Sequence, residues 1–195
     1  MRTAMPRAGI EGEVARIWFA LALGAFFQYE HEILDRYLEA GIAYCEERDF
    51  EMFRRYLHTT RAQVALQRAG WSEATDAATL VLHDPGPSII PRLYAWIVLG
   101  LVRARRGDPQ PSELIDRAAA LAEQQGQPHA LAAVAEARAE LAWLEGRPDD
   151  IAGVTEFALA HALRHNAWRE AGELCRWRAG VRELMPGAGL TANDT

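Results

Sequence analysis

An internal repeat of small residues constrains this chain more than any other feature. The repeat positions are Ala22, Gln63, Gly100, Ala139 and Gly172, and the residues seven positions later are, in turn, Tyr29, Gly70, Gly107, Gly146 and Ala179. Successive repeat positions are 41, 37, 39 and 33 residues apart. A period of this length is typical of stacked helical hairpins, none of which can bury its apolar face alone. We therefore expect a helical array.

The periodicity of the apolar residues is helical throughout. They recur at three- and four-residue intervals, as in Leu114, Ala118 and Leu121, and no stretch shows the alternation of a strand. Nine helices are predicted, over residues 11–27, 30–47, 50–69, 71–83, 89–106, 112–125, 128–145, 149–165 and 167–182. The predicted fold is all-α, a right-handed superhelical array of antiparallel helix pairs. Residues 1–10 are expected to be a flexible N-terminus, 11–182 the array and 183–195 a flexible tail.

Composition and charge exclude several classes of function. The chain has 195 residues, half of them hydrophobic, which is enough for one core. Its formal net charge is −6, whereas a general nucleic-acid binder needs a basic face that releases phosphate counterions. All 21 basic residues are arginine, which excludes lysine Schiff-base chemistry and a phosphate-loop lysine. We expect no direct binding to nucleic acid.

Cysteine usage and hydropathy favour a cytoplasmic protein without a membrane partner. Cys45 and Cys175 are a single pair far apart in the chain, which is not a disulfide framework. Each has apolar helical neighbours, and we interpret both as small packing residues. The apolar run over residues 17–27 is too short to cross a membrane. We interpret it as part of the first repeat helix, with a signal peptide as the alternative.

The third repeat resembles the first helix of a tetratricopeptide repeat. Trp96, Leu99 and Gly100 stand where that family has a Trp, a Leu and a Gly, whereas Arg103 stands in place of an aromatic residue. The repeats that begin at Trp18 and Trp168 match less fully. The spacing exceeds the family's period of about 34 residues. These departures favour the longer-helix variants of the superfamily.

Three longer stretches are similar to one such variant. They are residues 38–50 (LEAGIAYCEERDF), 99–109 (LGLVRARRGDP) and 137–146 (ARAELAWLEG). They resemble the helical array of large bacterial ATP-binding transcriptional regulators of the LuxR type, related to MalT, and similar segments attached to cyclases. In that family the array receives an inducer or partner and controls an ATPase module, often with a C-terminal DNA-binding helix-turn-helix. The resemblance covers about residues 15–180.

The resemblance implies the array alone. The chain has no G-x-x-x-x-G-K-[ST] stretch, so it lacks a Walker-type ATP site. After Val181 too few residues remain for a helix-turn-helix domain. We expect either an excised sensor array or a stand-alone remnant of one.

Candidate metal ligands are few and incomplete. The His31-Glu32-x-x-Asp35 stretch lacks the second histidine of a metalloprotease helix, and acidic residues also stabilise a helix start. His161 and His165 lie one helical turn apart, but no third ligand accompanies them. We therefore predict no metal, no cofactor and no catalytic residues, with an enzyme that uses this histidine pair or a cysteine as the alternative.

Three arginines cluster where a predicted helix ends. Arg103, Arg105 and Arg106 could clamp a carboxylate or phosphate, or they could complement the negative end of the helix dipole. We favour the second interpretation for Arg103 and Arg106. Both interpretations remain open for Arg105, which flanks the expected groove.

A concave groove is expected along the first helix of each pair. Its residues follow Trp18, Thr59, Trp96, Ala135 and Trp168 by one, five and eight positions. The predicted ligand- or partner-binding residues are Thr60, Gln67, Ile97, Leu101, Arg105, Glu136, Glu140, Trp143, Arg169 and Arg176. Val64, Ala104 and Glu173 share this face and Trp177 flanks it. An aromatic anchor beside carboxylates and guanidinium groups suits a peptide, a protein or a small-molecule inducer.

The first repeat gives the groove an apolar stretch. Phe19, Leu23 and Phe26 occupy its groove positions, and an apolar face of this kind is rarely left exposed in a monomer. We interpret these residues as a self-association surface of a homodimer or as a contact with upstream repeats.

The predicted function is a non-catalytic binding module. We interpret the chain as the sensory array of a bacterial transcriptional regulator, which binds a ligand or partner on its concave face. The alternative is a stand-alone protein–protein interaction adaptor.

Overall fold

The computed structural model describes residues 4–83, 86 and 88–180, and all regular structure in this part of the chain is helical. Its nine α-helices are α1 Ala4–Phe27, α2 His31–Glu47, α3 Glu51–Gln67, α4 Trp71–His83, α5 Ile89–Arg106, α6 Pro111–Gln125, α7 Pro128–Leu144, α8 Ile151–Arg164 and α9 Trp168–Arg178. A short 3-10 turn, Pro148–Asp150, precedes α8. The all-α class predicted from periodicity is confirmed.

The helices pack in two layers. The odd-numbered helices α1, α3, α5, α7 and α9 pack side by side in chain order and form the inner layer. Each even-numbered helix packs against the two odd-numbered helices that flank it in sequence, and these helices form the outer layer. The apolar core lies between the layers, where the alanine-rich faces of α4 and α6 are buried. This packing is that of a helical repeat array.

The predicted helix boundaries agree with the structure to within two residues except at the ends of the chain. α1 begins at Ala4, so residues 4–10, which we expected to be flexible, are helical. Pro6 is compatible with this start because the N–H groups of a first helical turn have no intrahelical acceptor. α9 ends at Arg178, before the predicted end at residue 182. The predicted tail, 183–195, lies outside the described residues.

A recurrent hydrogen bond closes the helices. The residue after a left-handed position donates its N–H to the carbonyl five residues earlier, which is the Schellman closure. The N···O distances are 3.0 Å for Glu30–Ala25, 2.9 Å for Phe50–Cys45, 2.8 Å for Gly70–Ala65, 2.9 Å for Asp108–Arg103, 2.8 Å for Arg147–Ala142 and 2.9 Å for Ala167–Ala162. Gly107 and Gly146 take the left-handed backbone, as predicted. Gly70 does not: Ala69, at φ 58°, takes it one residue earlier.

The position of Ala69 corrects the register of the second repeat. Ala62, seven residues before Ala69, is fully buried, as are Ala22 and Ala139 in their repeats. Gln63, the predicted repeat position, is only partly buried. The repeat positions 22, 62, 100 and 139 are therefore 40, 38 and 39 residues apart. This spacing is more regular than the 41, 37 and 39 residues of the predicted register.

Gly100 illustrates why these positions hold small residues. A Cβ added there would lie 2.7 Å from Cγ1 of Ile115 on α6, closer than real Cβ contacts. The fifth repeat position, Gly172, is exposed, and a Cβ there would meet nothing within 4 Å. A small residue is thus needed only where an outer-layer helix packs against the repeat position.

Membrane insertion of a helix finds no support among the described residues. None of their helices combines the length and the apolar character that a membrane span requires.

Candidate functional site: a cavity lined by the inner helices

The inner layer forms a partly open cavity of about 860 Å³. All five odd-numbered helices contribute to its lining, whereas the outer layer contributes only Gln125, at the end of α6. This volume lies within the range of small-molecule sites, roughly 300–1,000 Å³. We call it the concave cavity.

The concave cavity contains most of the predicted binding residues. Its lining includes Thr60, Gln67, Ile97, Leu101, Arg105, Glu136, Glu140, Arg169 and Arg176, together with the flanking Trp177 and the self-association candidates Phe19, Leu23 and Phe26. The helical spacing that suggested one face therefore brings residues from five helices to one cavity.

Trp143 is the predicted binding residue that does not line the cavity. It packs instead against Ala139 and Ala142 of its own helix and Ile151 of α8. Trp177 belongs to the same small apolar cluster and does face the cavity. Ala104, at the corresponding position of α5, is also absent from the lining. Arg105, the residue after Ala104, does line the cavity, so the lining at the end of α5 is shifted by one residue from the predicted position.

The register correction also identifies groove residues that the sequence reasoning missed. Counted from His58, four residues before Ala62, the groove positions of α3 are Thr59, Gln63 and Leu66, and all three line the cavity. Val64, one of the residues first assigned to this face, does not line it and is buried in the core. The sequence alone would not have revealed that Ala69, and not Gly70, closes α3, because glycine is the usual left-handed residue.

Two tyrosines and a histidine in the cavity were also missed. Tyr56, Tyr94 and His129 precede the predicted groove residues of their helices by one or two turns. An extension of each groove face by one turn toward the N-terminus would have found both tyrosines, since residues three or four apart share a helical face.

Aromatic side chains form the wall contributed by α1 and α3. The Phe19 ring centroid lies 4.9 Å from that of Tyr56 and 6.5 Å from that of Phe53. Such tilted contacts between aromatic rings are favourable. The apolar surface predicted for self-association is therefore partly buried within the chain, on the cavity wall.

A side-chain contact between two cavity residues connects the first and last inner helices. Cζ of Arg169, on α9, lies 4.6 Å from the ring centroid of Phe27, at the end of α1. A guanidinium group over an aromatic ring at this distance makes a cation–π contact. We call it the Phe27–Arg169 clasp. It joins helices that belong to the first and fifth repeats.

A buried ion pair links the middle helices of the inner layer. Arg105 of α5 donates from Nε and Nη2 to the two carboxylate oxygens of Glu140 on α7, at 2.5 and 3.1 Å. Its Nη1 donates to the backbone carbonyl of Leu66 on α3, at 3.0 Å. The side chains are only 12% and 7% exposed. The two residues thus connect three inner helices, and their charges already have partners.

Glu136 is the cavity carboxylate without such a partner. The other described carboxylates of the lining, Glu140, Glu170 and Glu173, each form an ion pair with an arginine: Arg105, Arg169 and Arg176, respectively. Burial, followed by repulsion from Glu173, raises the pKa of Glu136 to about 7, against smaller opposing effects of Arg169 and Arg176. At neutral pH this carboxyl group is therefore about half protonated.

Two further titratable groups of the cavity lining are uncharged at neutral pH. Burial and the Glu136 charge raise the pKa of Tyr94, so its hydroxyl keeps its proton. Burial lowers the pKa of His129, in part against the attraction of Glu170, so its imidazole is neutral at pH 7. The cavity therefore presents one carboxyl group that titrates near neutral pH, together with three arginine–carboxylate pairs and neutral polar and aromatic groups.

The other sequence candidates lie outside the concave cavity. The His161 ring, on α8, and the His165 ring, just after α8, are tilted by 37° with their centroids 4.3 Å apart, and Nε2 of His161 lies 3.1 Å from the Gly126 carbonyl oxygen. No group of three or more metal-ligating side chains occurs among the described residues. Cys45 is buried, as expected of a packing residue, but Cys175 is exposed, because no outer-layer helix covers its face of α9 in the described part of the chain.

Arg103 and Arg106 line a second, smaller depression of about 530 Å³ between α4, α5 and α6. Arg106 pairs there with Asp108 at 3.2 Å. Both residues lie in the last turn of α5, where a positive charge complements the helix dipole.

Comparison of the chain with protein-family models, with curated proteins and with solved structures finds no match.

Proposed function

We propose that this chain is a non-catalytic binding module that takes a small organic ligand into the concave cavity. The observation that carries the proposal is the cavity itself, which has the size and the mixed apolar and polar lining of a small-molecule site. Aromatic residues from α1, α3 and α5 supply apolar surface, and α5, α7 and α9 supply the charged groups.

In this proposal the array is tetratricopeptide-like, a right-handed superhelix of antiparallel helix pairs. Its proposed role is that of the sensory array of a bacterial transcriptional regulator in the cytoplasm. Two observations support such a role. The cavity draws residues from all five repeats, and the Phe27–Arg169 clasp joins the first repeat to the last. We expect the repeats to pack in either a more closed or a more open arrangement. A ligand that contacts several repeats would shift the population toward the arrangement that it binds better.

An uncharged fluorescent probe tests ligand binding. N-phenyl-1-naphthylamine becomes fluorescent in apolar surroundings, and we expect saturable binding to the wild-type chain with quenching of its tryptophan fluorescence. Ala133→Phe should weaken binding at least tenfold, because Ala133 is a partly exposed residue of the cavity lining. Ala120→Phe is the matched control, since Ala120 is exposed on α6 and does not line the cavity.

The result separates the proposal from its alternative. Equal binding by both variants, or no saturable binding by the wild type, would contradict a small-molecule cavity. A stand-alone adaptor for protein partners would then be the better interpretation. ATP serves as a negative control, and thermal stabilisation by ATP would count against a module without a nucleotide site.

A further inference from the structure

The charges of the concave cavity are unevenly matched. Its described lining contains four carboxylates and three guanidinium groups, and each guanidinium is already paired with a carboxylate. Glu136 is the remaining carboxylate. It lies in the middle of α7, close enough to Tyr94 for its charge to raise the pKa of that hydroxyl, and no hydrogen bond from a described residue reaches it.

The surroundings of Glu136 favour a cation as the missing partner. Burial and the nearby Glu173 carboxylate oppose a negative charge on Glu136. A bound cation would offset both effects and would restore the charge balance of the lining. The neutral His129 would not repel such a ligand.

The rest of the lining suits the body of an organic cation. Aromatic faces attract ammonium groups, and Tyr94, Tyr56 and Phe19 all border the cavity. The apolar residues Ile97, Val98 and Leu101 of α5 continue this surface. An inorganic cation would leave these side chains without a ligand contact.

We propose that the ligand of the concave cavity is an amphipathic organic cation, an ammonium group on an apolar body, with Glu136 as its counter-ion. This assignment rests on the proposed ligand-binding function. Binding of the cation would keep Glu136 ionised. The protein would therefore release the proton that the Glu136 carboxyl group partly holds in the empty site.

A pair of isosteric ligands tests the assignment. Benzyltrimethylammonium and neopentylbenzene have the same shape and differ in one atom, a charged nitrogen or a neutral carbon. Each competes with N-phenyl-1-naphthylamine for the wild-type chain at pH 8, and the ratio of the two affinities is compared between variants. Glu136→Gln should reduce the preference for the cation about tenfold. The control Glu156→Gln, which removes an exposed carboxylate of α8, should leave the ratio unchanged.

The dependence on pH provides a second readout, because neither competitor titrates. With a carboxyl pKa of about 7, the wild-type affinity for benzyltrimethylammonium should rise about tenfold from pH 6 to pH 8. Affinity for neopentylbenzene should not change, and Glu136→Gln should abolish the rise. The groups that act on Glu136 are Glu173, Arg169, Arg176 and Glu170 of α9 and Tyr94 of α5.

The outcomes distinguish the two proposals. If the naphthylamine probe binds in the cavity but the affinity ratio is the same in the wild type and in Glu136→Gln, the cation assignment is wrong and the binding function stands. If the probe does not bind the cavity at all, both are wrong.

Discussion

At the scale of single residues, Arg105 and Glu140, both predicted to contact a ligand, line the cavity and form an ion pair with each other. Its geometry is bidentate and the side chains are almost fully buried. Removal of one member leaves the other charge buried without compensation, which costs far more than an exposed ion pair contributes.

We expect Arg105→Leu and Glu140→Leu each to lower the free energy of unfolding by about 3 kcal/mol. The double variant should recover to within about 1 kcal/mol of the wild type, because no charge is left buried. Urea denaturation of the four proteins measures this cycle. Arg138→Ala, which breaks the exposed pair with Asp116, should cost less than about 1 kcal/mol. Additive losses in the double variant would contradict a coupled pair.

Glu136 should also leave a signature in stability against pH. Its pKa in the folded chain, about 7, is above the ordinary value of 4.5, so the folded state retains a proton that the unfolded state has lost. The stability from this group is present below pH 4.5 and is lost as the pH rises toward 7. Glu136→Gln removes this loss.

The difference in unfolding free energy between Glu136→Gln and the wild type should therefore grow from pH 5 to pH 8 and then level off, in favour of the variant. The rise of the Glu136 pKa from 4.5 to about 7 corresponds to a change in the free energy of unfolding on the order of 3 kcal/mol. The comparison with the variant is necessary because His58, whose pKa is lowered to about 4 by burial and by Arg61 and Arg54, has the opposite effect. His58 costs stability as the pH falls below 6.5. A difference that is constant from pH 5 to pH 8 would argue against a raised pKa.

At the scale of helices, closure of each inner helix depends on one left-handed residue. Non-glycine residues in this conformation are strained by about 1–2 kcal/mol, since Cβ approaches the neighbouring carbonyl. Ala69, at φ 58°, carries this strain without a polar side chain that could relieve it. Gly107, at φ 73°, avoids it.

Ala69→Gly should therefore raise the free energy of unfolding by about 0.5–1 kcal/mol, after the larger entropy of glycine in the unfolded chain is subtracted. Gly107→Ala should lower it by about 1 kcal/mol through strain alone, because a Cβ there meets nothing within 4 Å. Thermal denaturation of both variants provides the comparison. If both substitutions shift stability in the same direction, backbone strain at the closures is not the cause.

At the scale of the whole molecule, the Phe27–Arg169 clasp connects repeats that are remote in sequence. A cation–π contact at an exposed site contributes about 0.5–1 kcal/mol, so its loss changes the ratio of closed to open arrays two- to fivefold. Phe27→Ala should lengthen the mean distance between α1 and α9. A bound ligand that contacts both helices should shorten it.

Energy transfer between two dyes can measure this distance. Cys175 is exposed on α9, and Gln28→Cys places the second dye next to the clasp. Cys45 is buried, and burial raises the pKa of its thiol, so it should not react with the dye in the folded chain. Phe157→Ala, which removes an exposed ring from α8, is the control and should leave the distance unchanged. An unchanged distance in Phe27→Ala would show that other contacts determine the separation of α1 and α9.

The predictability of the site differed between repeats. In the first and fifth repeats, the groove positions counted from Trp18 and Trp168 all line the cavity, from Phe19 to Arg176. In the second repeat no tryptophan was present, and the glycine at position 70 shifted the register by one residue. In the fourth repeat the spacing located Glu136 and Glu140, whereas Trp143 packs in the apolar cluster with Ile151 and does not line the cavity.

The sequence by itself determined the helices, their order and the small residues at their contacts, because helical periodicity and helix closure depend on residues a few positions apart. Only the tertiary structure decided how far the array curves, and therefore that Arg169 reaches Phe27 and that the groove becomes a cavity. The pairing of Arg105 with Glu140, and the isolation of Glu136 beside Glu173, depend on the approach of helices 35 or more residues apart. Small rotations between neighbouring repeats add up along the array, and no local pattern in the chain records their sum.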